Sequence, residues 1–147
     1  MKTIRLIISS ILLLFAVQSM AQAQSTDITE TFKKHFNKTV QQVEETESAD
    51  QKRMLLNESF AKMLEAVDRI ESRANLSKDE IAQLNSFENG ILEKKNELNG
   101  SDGFDKVADE DLDDFSEYSQ DFMEQADKTL TIGLTTALLI VIILLLL

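Results

Sequence analysis

The chain has 147 residues, a formal net charge of −11, and neither cysteine nor proline. Without cysteine there can be no disulfide, thiolate metal site, Cys–His catalysis or lipid-modified N-terminal cysteine. The acidic balance repels nucleic acid and anionic lipid headgroups, so neither is expected as a ligand, while the lack of proline and the four glycines favour long uninterrupted helices.

The chain opens with Lys2 and Arg5, an apolar run from Leu6 to Val17, and the small-residue stretch Ala21-Gln22-Ala23. That order matches a secretory signal peptide over 1–23, with cleavage after Ala23 and a mature start at Gln24. The run is too short to cross a hydrocarbon core, which takes about 20 helical residues. The competing reading is an uncleaved anchor extended through Ser19 and Met20. Removing Lys2 and Arg5 with the leader takes the charge to −13.

Four helices are expected in the extracytoplasmic region 24–128, over about 28–47, 49–75, 78–98 and 105–128. The first three starts carry capping-box spacing, an acceptor side chain with Glu or Gln three residues later: Asp27 with Glu30, Ser48 with Gln51, and Ser77 with Glu80. Leu76 and Ile81 add hydrophobic-staple positions at the third. Along the first helix Ile28, Phe32, Phe36, Val40 and Val43 share one face. Along the second, Leu56, Phe60, Met63, Val67, Ile70 and Ala74 alternate steps of four and three, an a/d seam. The third presents Ile81, Leu84, Phe87, Ile91 and Leu98 and closes at Asn99-Gly100. Asn89-Gly90 could break it, and one continuous helix is the favoured reading. The fourth places Val107, Leu112, Phe115, Phe122 and Ala126 on one side. It is expected to continue into the last apolar run, because no proline or glycine separates Lys106 from Ile132.

Thr129 to Leu147 contains no charge, and 19 residues at 1.5 Å rise reach about 28 Å, enough to span a bilayer. The expected fold class is therefore all-α: a small antiparallel helical bundle or coiled-coil hairpin of three to four helices, plus one C-terminal transmembrane helix over 129–147. The fourth segment either docks on the others or forms a stalk. A removable GPI signal is the alternative for the tail, but Ser119-Gln120-Asp121 is a poor attachment site. Four N-x-[ST] sequons, at Asn37, Asn57, Asn75 and Asn99, carry meaning only in a glycosylating lineage.

Chemistry is sparse. The single histidine, His35, would have to serve any Ser-His-Asp triad, and no nucleophile signature accompanies it. Phe32 stands where a di-iron Glu-x-x-His motif needs glutamate. His35 is read as a boundary residue of the first helix. From Asp102 to Asp127 eleven acidic residues face Lys106 alone. An EF-hand register with Gly103 at the sixth position puts Leu98 at the first ligand and fails. No catalytic, cofactor-binding or metal-ligating residue is nominated, and no enzymatic activity is expected.

These readings converge on a single-pass protein of the cell membrane. Its bulk is extracytoplasmic (periplasmic in a Gram-negative cell), its C-terminus lies at the cytoplasmic face, and its role is structural or adaptor-like. The expected partners are membrane lipid through 129–147 and a protein partner or second copy through the helical seams. The alternative is a membrane-active, lysis- or holin-like protein that keeps both hydrophobic ends.

Overall fold

The computed structural model describes residues 28–126, and these are all-helical: α1 (Ile28–Glu44), α2 (Ala49–Arg73), α3 (Lys78–Asn99), a 3-10 turn (Asp109–Asp111) and α4 (Leu112–Ala126). The signal segment 1–23, the acceptor Asp27, any continuation of the fourth helix past Ala126 and the run 129–147 lie outside the described residues. Among the described residues, no helix is long and apolar enough to cross a membrane.

Helix starts follow the local chemistry. Ser48, in an extended conformation, accepts the Gln51 N–H at 3.5 Å. At α3 the box closes both ways: the Glu80 N–H reaches Ser77 Oγ at 3.3 Å, and the Ser77 N–H reaches Glu80 Oε2 at 2.8 Å. Each bond satisfies a donor that the first helical turn leaves unpaired. α1 stops at Glu44 and not near residue 47, because the Thr46 hydroxyl and amide bond back to Gln42 and Val43 while Ser48 must extend to cap α2.

The fourth segment differs most from expectation. It does not become helical at 105 but enters a single 3-10 turn at Asp109 and an α-helix at Leu112. α3 ends on Gly100 in the left-handed conformation, φ 68°, and a β-carbon there would lie 2.8 Å from the Lys106 backbone nitrogen. The chain then folds back along α3: the Val107 N–H bonds the Glu97 carbonyl at 3.4 Å, and the Val107 carbonyl accepts from Arg53. Backbone groups spent on these contacts cannot join a helical ladder, so the helix waits until Leu112.

Cross-helix contacts define the topology. α1 and α2 run antiparallel, with the Thr39 hydroxyl bonding Ser59 at 3.0 Å. α1 and α4 also run antiparallel, tied by Gln120 to Asn37 at 2.9 Å and Lys33 to Glu124 at 3.0 Å. α3 and α4 pair Lys94 with Tyr118 and Phe87 with Phe122, again in opposite directions. The arrangement is an up-down-up-down four-helix bundle. The fourth segment docks, packing most extensively on α1.

The apolar faces meet inside. Phe32, Phe36, Val40 and Val43 of α1 face Leu56, Phe60, Met63, Val67 and Ile70 of α2. Leu84, Phe87, Ile91 and Leu98 of α3 and Leu112, Phe115, Met123 and Ala126 of α4 complete the core. The a/d seam of α2 is therefore taken up within the chain. Ala74 and Val107 pack at its margin.

Asn89-Gly90 does not interrupt α3. A β-carbon on Gly90 would fall 2.2 Å from the Phe122 ring, which stacks on Phe87 with centroids 6.1 Å apart. Glycine here admits the α4 ring to the α3 backbone. Gly90→Ala gains about 1 kcal/mol of helix propensity but meets an overpacking cost of about 1–3 kcal/mol. A net destabilisation is expected in urea unfolding, and the same change in a Phe122→Leu background should be neutral or stabilising.

Candidate functional site

The structure separates the residues that carry charge or chemistry into three places. His35 sits half-buried on α1, with Nε2 buried and without a hydrogen-bond partner. Burial first, then the charges of Lys62 and Lys38, hold its pKa below the ordinary 6.5. Partial burial and the nearby ammonium groups both favour the neutral imidazole. It lies within α1 at the edge between the buried and exposed faces, beside buried Phe36 and exposed Lys34.

The acidic run is dispersed. Asp109 accepts from Arg53 at 2.8 Å and Asp113 from Lys52 at 2.6 Å, while Asp102, Asp105 and Asp111 are exposed. The Arg53 hydrogen bond, with burial opposing and the Arg53 and Lys106 charges assisting, lowers the Asp109 pKa. Among the described residues, no group of three or more histidine, aspartate or glutamate side chains is placed to hold a metal ion.

Arg53 organises this end of the bundle. Its guanidinium donates to the carbonyl of Leu98, to that of Val107 at 2.7 Å and to Asp109, so one side chain joins α2, the end of α3 and the returning loop. Beside it Asn57 and Asn99 exchange amide hydrogen bonds at 3.0 and 2.7 Å. The sequons gain a structural reading here. Asn57 and Asn99 pair with each other, Asn37 accepts from Gln120, and Thr39 and Ser59 are buried. Asn75 is exposed in the α2–α3 connection.

Lys94 lies at the α3–α4 seam and was not singled out in the sequence. It is only 4% exposed. Its Nζ donates to the Glu97 carboxylate at 2.9 and 3.1 Å and to the Tyr118 hydroxyl at 2.9 Å, and lies 4.3 Å from the Tyr118 ring centroid. Burial works against the ammonium, but the bonds to Tyr118 and Glu97 and the nearby charge outweigh it and raise the pKa. A lysine held protonated is neither nucleophile nor base. It rests instead as a satisfied ion that fixes α3 against α4. The signal was available: three residues after Ile91 and four before Leu98, position 94 has inward helical phase.

Two outcomes follow. Arg53→Ala should cost about 2–3 kcal/mol, since it strips charged hydrogen bonds from two carbonyls, and should speed amide exchange over 101–108. Arg53→Lys should recover only part, because an ammonium lacks the planar fork. For His35, the folded pKa lies below the unfolded value of 6.5. Its contribution is complete above pH 6.5 and is lost as pH falls through the folded pKa. Urea midpoints at neutral and mildly acidic pH should therefore converge in His35→Gln relative to the parent chain. No protein-family model matches the chain, and no curated protein or solved structure matches it either.

Proposed function

We propose that the chain is a membrane-anchored, extracytoplasmic helical protein with a structural or adaptor role. The observation that carries this reading is the division of the chain. An acidic bundle with its own apolar core is followed in the sequence, after Asp127 and Lys128, by the uncharged stretch Thr129 to Leu147. A bundle whose apolar faces are already satisfied gains nothing further from burying that stretch against itself, whereas a bilayer offers it a solvent. The leader-like segment ahead of Gln24 supports export.

With the α2 seam occupied internally, an adaptor role falls on the outer faces of the bundle. Met54, Leu92, Phe104 and Tyr118 are the large apolar side chains exposed there. They are separated along the sequence and set among charged residues.

Fractionation with N-terminal sequencing tests the reading. The full chain should resist alkaline extraction from membranes and begin at Gln24, and removal of 129–147 should release it to the soluble fraction. A chain that retains residues 1–23 would favour the two-anchor, lysis-like alternative. A full-length chain in the soluble fraction would overturn the anchored reading.

A further inference from the structure

The topology brings both ends of the described chain to one end of the bundle. Lys33, one turn into α1, contacts Glu124 in the last turn of α4 at 3.0 Å. An even number of antiparallel helices returns the chain to the side from which it set out. The start of α1, the α2–α3 connection and the end of α4 therefore share one end. The α1–α2 connection, the 100–108 loop and the 3-10 turn share the other.

Charge divides along the same axis. Segments 28–34, 68–81 and 122–126, at the first end, carry six acidic and five basic residues. Segments 41–53 and 95–114, at the other end, carry twelve acidic and four basic residues. Two of those four, Lys52 and Arg53, are already paired with Asp113 and Asp109. The net acidity of the chain thus belongs mostly to the end opposite the one where Ile28 and Ala126 lie.

We infer that the near-neutral end of the bundle, centred on the α2–α3 connection with Arg73 and Lys78 at its flanks, is the surface that rests on a lipid membrane, and that the acidic end points away from it. This rests on the anchored reading above and holds whether one or both apolar runs remain in the bilayer. Distance decides the electrostatics. α2 has 25 residues, about 37 Å at 1.5 Å rise, which exceeds three Debye lengths of about 10 Å. Held that far off, the acidic end escapes the repulsion of anionic headgroups, whose potential decays within about one Debye length. The opposite orientation would press twelve carboxylates against that surface. Arg73 and Lys78 are exposed and placed to meet headgroup phosphates.

Because the chain lacks cysteine, single labels can be placed without background. Asn75→Cys reports the near-neutral end and Glu47→Cys the acidic end; both positions are exposed in connections. The full chain, carrying a fluorophore at one site or the other, is reconstituted into phosphatidylcholine vesicles with a minority of phosphatidylglycerol and a headgroup nitroxide lipid. Quenching at 75 should exceed that at 47 several-fold. Flotation with the vesicles but equal quenching, or stronger quenching at 47, overturns the orientation and leaves the anchor standing. Failure to float overturns both.

Discussion

Two rows of aromatic rings cross the bundle, and its closure depends on them. In one, Phe36 stacks on Phe60 at 5.4 Å and Phe60 meets Phe115 edge-on at 6.5 Å, linking α1, α2 and α4. In the other, Phe32 meets Phe87 at 5.1 Å and Phe87 stacks on Phe122, linking α1, α3 and α4. Each row draws on three helices, so no hairpin can bury it alone. This is why α4 docks against the others: without it, Phe60 and Phe87 would each lose an aromatic neighbour and gain water. In a region of this size, with no disulfide, such shared burial is the main source of cohesion.

Polar contacts then set the register. Lys94 with Glu97 and Tyr118, Arg53 with two carbonyls and Asp109, and the Asn57–Asn99 pair each join elements far apart in sequence. The Lys94 ammonium, the Arg53 guanidinium and the two asparagine amides are satisfied and at least partly buried, so shifting one helix past another by a turn would strand a desolvated group. Arg53 also explains why residues 101–108 follow a defined path although few apolar contacts hold them.

The up-down-up-down path has a further consequence. It separates a near-neutral end, where both ends of the described chain lie, from an acidic end built of α-helix termini and the 100–111 connection. Net charge taken over the whole chain argues against contact with anionic lipid. The folded distribution removes that objection at one end of the molecule. A domain anchored there would hold its acidic end in solution, clear of the membrane surface.

Helix existence, most helix starts and the composition of the core were legible in the sequence, because they depend on neighbours within a few residues. Capping at Ser48 and Ser77 is a matter of three-residue spacing, and the apolar phases of α1, α2 and α3 follow from 3.6 residues per turn. Tertiary structure alone decided the rest. The helix expected from residue 105 begins at 112 because Val107 is claimed by Glu97 and Arg53, one from the preceding helix and one far back in the chain. Gly90 reads locally as a break, and only the ring of Phe122 shows it to be a point of close approach. Lys94 has inward phase in the sequence, but its partner Tyr118 lies on another helix. Where a group's fate depends on residues distant in the chain, local pattern cannot assign it, because the energy that decides it does not exist until the helices meet.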